Sequence, residues 1–507
     1  MSVDEEEEEV HVAEGGAPSH HPVAPPDELF DISTTVDPSY IISLIRKLLP
    51  ITQLDSCTFG GVDHSNGDHK SGMDYTEEKP VLHSDGKRSP SRNESEVMDM
   101  RQQIDEHGVP AREEAWEEYG CILWDLAASR THAELMVQNL VLEVLLANLT
   151  VSQSVRVTEI CLGIIGNLAC HEVLMDTIVS TNGLVQTIID QLFLDDTQCL
   201  SEASRLLALC LQGNECVTWA KALLPDRVIN RLLWIAENSL NPLLLEKCVG
   251  LLLVILESEK GAAPILLPPL VENGVIKLLI GLLDFEITLL TRERSPERLP
   301  VLDTILRAIE ALSTMNDHSQ EISSNVELVQ LICNLIKFPD KMEISESCVT
   351  SAVLLANILS DVPNMAFDMS QDLALLQGLF SILPFTSNDA EARNALWSAM
   401  ARLLVKIKET EFGMLRLCQY VSSLVSSCDL FEEDLLDQGP DCADKHEISD
   451  ADRTKSNSTT TALRKMVSIL NQWNSSKDIP RDKDAIEEHC PDDAAVLRML
   501  ELCHKYI

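Results

Sequence analysis

Cysteine, histidine and carboxylate side chains are the groups in this sequence able to carry chemistry, and their spacing limits what each can do. His489-Cys490 and Cys503-His504 form a symmetrical pair that invites a zinc site. Along a helix, however, thirteen residues at about 1.5 Å each hold the two cysteines roughly 20 Å apart, whereas zinc gathers its ligands within about 2.3 Å of one ion. The Asp63-His64 and Asp68-His69 pairs lie in a stretch with nothing to hold them rigid, and no Cys-x-x-Cys pair occurs. The cysteines number fifteen, and Cys161, Cys210, Cys248, Cys333, Cys348 and Cys418 sit inside apolar runs, where a thiol behaves as a small hydrophobe in a reducing compartment. No phosphate loop, dinucleotide fingerprint or nucleophile elbow is present. Carboxylates abound, but nothing marks a pocket that would desolvate one of them into an acid or base. The expectation is therefore no catalytic residue, no metal, no cofactor and no enzyme. Arg88-Ser89-Pro90 and Arg294-Ser295-Pro296 repeat one triplet, which makes Ser89 and Ser295 candidate sites for a proline-directed kinase.

The elements that must position any binding group are helices. In Val157 to Cys170, Ile160, Ile164, Asn167 and Leu168 fall at helical intervals, while Gly163 and Gly166 leave room for a neighbour to come close. Similar registers recur at Glu202 to Cys210, Glu246 to Val254, Asp303 to Ala311, Val353 to Asn357 and Trp397 to Arg402, in steps of roughly 45 residues, the armadillo/HEAT range. Hydrophobic residues make up 45% and aromatics only 4%, a balance that suits aliphatic helix packing and not a β-sandwich. The expected fold is all-α, a right-handed superhelical solenoid of armadillo/HEAT type, with repeats over residues 111–430 closed at the N-terminal end by Trp116, Tyr119, Leu123, Trp124 and Leu126. Ahead of it stand a disordered acidic tail (1–36), a short docking helix (37–50) begun by Asp37-Pro38 and stopped by Pro50, and a disordered linker (51–110). Behind it come an acidic loop (431–460) and C-terminal helices (461–507). The second of these, near Ala485 to Lys505 with Ile486, Val496, Leu497, Leu500 and Leu502 on one face, either caps the stack or docks a partner. Thr288 to Pro300 reads as a loop inserted in one long repeat, either a contact site or a tolerated loop.

The repeat register also singles out groove residues. Armadillo modules that bind extended basic peptides often carry Trp-x-x-x-Asn in successive repeats. Here Asn167 and Asn357 keep the amide, but Gly163 and Val353 stand four residues earlier, and Trp397 is followed by Ala401. Trp234 and Asn238 match the spacing once, in another register. Asn167, Asn357 and Arg402 are thus candidate partner-groove residues, and the two amides fit bonds between helices equally well.

The formal charge is -42 and it is unevenly spread. Residues 1–115 hold 25 acidic and 9 basic residues, and residues 430–452 hold 9 and 1, so these two segments supply 16 and 8 negative units. That balance disfavours nucleic acid and favours a basic protein partner, steered by long-range attraction. The opening Asp4 to Glu9 run is opposite in sign to a secretory or mitochondrial leader, and no uninterrupted apolar run is long enough to span a membrane. The expected location is nucleus, cytoplasm or both, without membrane contact.

Trp124-Asp125-Leu126, the run Val155-Arg156-Val157-Thr158-Glu159-Ile160-Cys161-Leu162-Gly163-Ile164-Ile165-Gly166-Asn167-Leu168-Ala169-Cys170, and Glu202-Ala203-Ser204-Arg205-Leu206-Leu207 resemble the Saal family, the serum amyloid A-like proteins. The likeness is densest from Glu114 to Trp219, and the Tyr40 to Leu49 helix has a counterpart. The Gly-, Ser- and His-rich linker and the acidic C-terminal insert look peculiar to this chain. The resemblance implies an armadillo-type fold, no known enzymatic activity and, in animal relatives, nuclear location and regulation of cell proliferation. It transfers no catalytic or binding residue. The reading that results is a non-catalytic scaffold for protein partners, with an adaptor that holds basic cargo peptides in the concave groove as the alternative.

Overall fold

A computed structural model describes residues 36–50, 113–258, 261–437, 450–476 and 491–507. All regular structure among them is helical. From residue 130 onward the helices come in threes: a short first helix, a second, and a third that lies on an inner ladder. We number only the third helices: Val155–Ala169 (α1), Thr197–Gln212 (α2), Pro242–Glu257 (α3), Leu299–Ser313 (α4), Ser345–Asp361 (α5), Ala390–Lys406 (α6) and Asp450–Ser476 (α7). Each of these packs against the one before it and the one after it. A second ladder runs alongside through Val141–Val151, Leu184–Asp190 with Gln191–Phe193, Asp226–Asn238, Val275–Arg292, Val326–Ile336 and Leu373–Phe380. Helices that meet mainly their neighbours in sequence and share one continuous apolar core define a solenoid, here all-α and armadillo-type.

The period shows directly in the bonds between repeats. Asn167 donates to the Trp124 carbonyl 43 residues earlier, the Cys199 thiol to the Val155 carbonyl 44 earlier, and Asn357 to the Ser313 hydroxyl 44 earlier. Local signals start the inner helices. The side chains of Asp196, Asn241 and Asp389 accept the backbone N–H groups of Cys199, Leu244 and Ala392, caps worth about 1 kcal/mol each. In three of the triplets the backbone enters the left-handed region where the first helix turns into the second. Glycine occupies that position at Gly183 (φ 83°) and Gly274 (φ 87°), but Leu140 holds it at φ 64° with its side chain exposed.

The two ends are closed by different means. Pro38–Lys47, capped by Asp37, buries Ile41, Leu44, Ile45 and Leu48. The Leu48 carbonyl accepts from the Trp116 indole (3.2 Å) and the Asn148 amide (2.7 Å), so the helix is tied to residues 113–127 and to Val141–Val151. At the other end Asp493–Tyr506 packs on α7, Met414–Ser426 and Cys428–Asp437 through Val496, Met499, Leu500, Leu502 and Cys503. It caps the stack; Leu497, expected on the buried face, is exposed. No single helix among the described residues is long and apolar enough to cross a membrane.

Three boundaries differ from the sequence reading. The acidic stretch 431–460 is not one loop, because Cys428–Asp437 is helical and α7 begins at Asp450; only 438–449 lie outside the described residues. The cause is a short apolar pair within the acidic run: Phe431 and Leu435, one turn apart, are buried, and Phe431 meets Phe380 edge-on with ring centres 5.0 Å apart. Residues 288–300 are not a loop either. Val275–Arg292 carries the helix through the first part, with Ile287 and Leu290 buried, and Leu299 and Pro300 already belong to α4. Finally, the last helix begins at Asp493 rather than Ala485; residues 1–35, 51–112 and 477–490, with Ser89, Ile486, His489 and Cys490, lie outside the described residues.

Candidate protein-interaction groove

Helices α1 to α6 set equivalent positions side by side, so the inner face can be read as rows. Asn167, Asn357 and Arg402 are each the thirteenth residue of their helix, and Leu209, Val254 and Ala311 hold that position in α2, α3 and α4. The three candidates therefore share one row, and among the described residues no hydrogen bond joins one of them to another. Both amides are engaged between helices. Asn167 Nδ2 donates to the Trp124 carbonyl at 2.9 Å, and its Oδ1 accepts from Arg205 at 3.3 Å; Asn357 Nδ2 reaches Ser313 Oγ at 3.0 Å. Arg402 donates to the Leu359 carbonyl and to Ser360 Oγ, both at 3.3 Å.

The tryptophan half of a peptide clamp is missing from this row. Trp397 is buried, and its Nε1–H donates to Asp434 Oδ2 at 2.9 Å. Trp234 is exposed but lies on the second ladder, where Asn238 bonds back to its carbonyl one turn away. Asp434, a residue that the charge pattern hides, is buried together with Arg393 in an ion pair of 3.2 Å that joins α6 to Cys428–Asp437. Ser295 is half-buried and precedes the turn Pro296–Arg298. Its neighbours are committed elsewhere: Arg294 pairs with Asp340 at 2.8 Å, and Arg298 reaches the buried Glu286 carboxylate.

The charge density that sequence spacing did not single out lies at the middle of the inner face. A cleft of about 530 Å³ between α3 and α4 is lined by Glu257, Arg307, Glu310, Thr314, Met315 and Asn316. Burial and then the nearby Glu346 raise the Asp303 carboxyl above the usual range, with Arg307 opposing them. Burial is also the main cause that raises Glu310; Arg307 opposes it, and Asp389, Asp303 and Glu257 add to it. Asp303 Oδ1 is buried without a hydrogen-bond partner, and Arg307, whose charge acts on both groups, is already paired with Glu257 at 3.2 Å. Neighbouring acids at helical spacing could have signalled this cluster only once the register between repeats was known.

Burial acts in the same direction on the buried thiols. Desolvation pushes Cys248 and Cys333 up to about 11 and Cys199, Cys348 and Cys503 up to about 12, so they stay protonated at neutral pH. Among the described residues no group of three or more His, Cys, Asp and Glu side chains is placed to hold a metal ion.

With the ladder and its rows established, comparison with known proteins locates the chain. It is 27% identical over 246 residues to human Protein SAAL1, covering 46% of this chain and 51% of that one. It is 25% identical over 297 residues to zebrafish Protein saal1, covering 55% and 62%, and 32% identical over 143 residues to the Xenopus tropicalis protein, covering 28% and 31%. The chain is a homologue of the SAAL1 proteins. It spans about half to three fifths of the human and zebrafish SAAL1 lengths, and no family model matches it. Among solved structures, an engineered protein is similar at 18% identity and a TM-score of 0.42 over 77% of this chain and 95% of its own. A designed armadillo repeat protein in complex with the peptide (KR)4 is similar at 16% identity and a TM-score of 0.38 over 49% and 96%.

Proposed function

We propose that this chain is a scaffold whose inner face binds an extended segment of a protein partner, with a basic side chain of that partner seated at Asp303 and Glu310. The observation that carries the reading is the shortage of positive charge there: two partly buried carboxylates are held above their ordinary range and share one arginine that is already paired. A lysine or arginine from a partner would neutralise them, and the helical rows on either side would align the rest of its chain. Binding through such a groove spreads contact over several repeats while a few anchors carry the energy.

The cargo-adaptor alternative is less favoured, because Asn167 and Asn357 already spend their amides on bonds between helices. A nuclear or cytoplasmic location and a part in regulating cell proliferation belong to the same proposal, supported by the resemblance to the serum amyloid A-like family. The test is titration of the full chain with a fluorescein-labelled, lysine-rich peptide at two salt concentrations. Affinity that falls with salt and drops at least fivefold in Asp303→Asn/Glu310→Gln supports the reading; equal binding by variant and wild type contradicts it.

A further inference from the structure

Toward the C-terminal end of the same face the charge reverses. Between α5, α6 and α7 lies a cleft of about 480 Å³. Arg402 and Lys406, one turn apart on α6, stand at its wall with the hydroxyl-bearing Ser398, Ser458 and Thr461, over a floor that includes Val405. Among the described residues no carboxylate lines it. Among the described residues neither cation has an ion-pair partner: Arg402 makes only hydrogen bonds of 3.3 Å to Ser398, Leu359 and Ser360, and Lys406 is exposed. The nearby Glu409 is held by Lys465 and Ser468, and Asp361 accepts from Ser323. Two cations without an ion-pair partner among the described residues stand here beside hydroxyl groups in a chain of formal charge -42.

We propose that this cleft is an anion subsite that receives a negatively charged side chain, a phosphoserine, phosphothreonine or carboxylate, from the protein segment bound along the groove. Arginine supplies a forked pair of donors suited to planar or tetrahedral oxyanions, lysine supplies a point charge, and the hydroxyls donate at the rim. The inference rests on the groove reading above and adds a spacing to it. Asp303 and Glu310 lie on α4 and the cleft on α6, two inner helices further on. At about 8 to 10 Å per helix this is roughly 20 Å, which an extended chain crosses in about six residues. The preferred ligand is therefore an extended peptide with a basic residue about six positions from an anionic one.

The probe is a fluorescein-labelled twelve-residue peptide with two lysines and, six residues further on, phosphoserine, glutamate or serine. It is titrated into the full wild-type chain, Lys406→Gln, Arg402→Gln/Lys406→Gln and Asp303→Asn/Glu310→Gln. The expected result is at least tenfold tighter binding of the phosphoserine peptide than the serine peptide, a gain reduced in Lys406→Gln, lost in the double cation variant and retained in the carboxylate variant. A matching gain from glutamate identifies a carboxylate as sufficient; a gain from phosphoserine alone identifies a phosphate monoester. Lys406 is exposed, so its substitution separates loss of charge from loss of folding. The proposal is overturned if wild type does not distinguish the anionic peptides from the serine peptide, or if the gain survives in the double cation variant. Equal binding of all three peptides by wild type, with affinity that still drops in the carboxylate variant, sinks this subsite and leaves the groove reading standing; a phosphoserine gain with no loss of affinity in the carboxylate variant supports this subsite and sinks the groove reading.

Discussion

Gly163 and Gly250 are each the ninth residue of an inner helix, and the solenoid predicts opposite outcomes when a methyl group is added to them. A Cβ on Gly163 would lie 2.1 Å from Cε2 and Cζ2 of Trp124, so the ring would have to move by more than an ångström. That ring belongs to a helix pinned to α1 by the Asn167 bond to the Trp124 carbonyl. A Cβ on Gly250 meets nothing within 4 Å. Overpacking costs about 1 to 3 kcal/mol, and replacing glycine by alanine in a helix returns about 1 kcal/mol. Gly163→Ala should therefore destabilise locally by up to about 2 kcal/mol, while Gly250→Ala should stabilise by about 0.5 to 1 kcal/mol. Because a long repeat array need not unfold in one step, the readout is amide hydrogen exchange by mass spectrometry rather than a single melting temperature. Protection should fall up to roughly thirtyfold across residues 113–127 and α1 in Gly163→Ala, and rise in α3 in Gly250→Ala. If Gly163→Ala raised protection in α1 as Gly250→Ala does in α3, the close approach of Trp124 would be refuted.

Other perturbations follow from the same contacts. Leu140→Gly relieves a left-handed leucine whose side chain is exposed, so local opening of Val141–Val151 should become about 1 kcal/mol harder; unchanged exchange there would contradict it. Asp434→Ala leaves Arg393 buried without its carboxylate and the Trp397 indole without its acceptor, with an expected loss of about 3 to 5 kcal/mol in urea unfolding of the C-terminal repeats; a loss under about 1 kcal/mol would contradict it. Asp303→Asn/Glu310→Gln should raise stability at neutral pH while it weakens binding of basic peptides. The sign follows from the raised carboxyls. The folded state holds their protons more tightly than the unfolded state, so wild-type stability rises as pH falls from the raised folded values toward the ordinary range near pH 4. The double variant should lack this part of the pH dependence in urea melts, and an unchanged profile would count against it.

Much of the ladder is written in local patterns. The register through Asn167, Asn357 and Arg402 coincides with one structural row, because a helix that must bury itself against both neighbours repeats its apolar spacing in every unit. Asp37-Pro38 begins a helix because an aspartate cap and a first-turn proline act within four residues. What could not be read depends on contacts between repeats. Phe431 and Leu435 turn an acidic run into a buried helix only because α6 and the Phe380 helix stand opposite them. Arg298 anchors the supposed insertion through Glu286, twelve residues back along the chain, a pairing that periodicity does not reveal. The carboxylates at Asp303 and Glu310 look like ordinary surface acids until the helices beside them are in place.

Photocrosslinking gives the most direct test of the inner face as a binding surface. With a photoreactive residue placed at Val254 or Ala311 on the inner row, or at Glu237 on the second ladder, the full chain is irradiated with the lysine-containing phosphoserine peptide. The account predicts peptide adducts from both inner positions, reduced in Asp303→Asn/Glu310→Gln, and none from Glu237. Adducts from Glu237 with none from Val254 or Ala311 would contradict it.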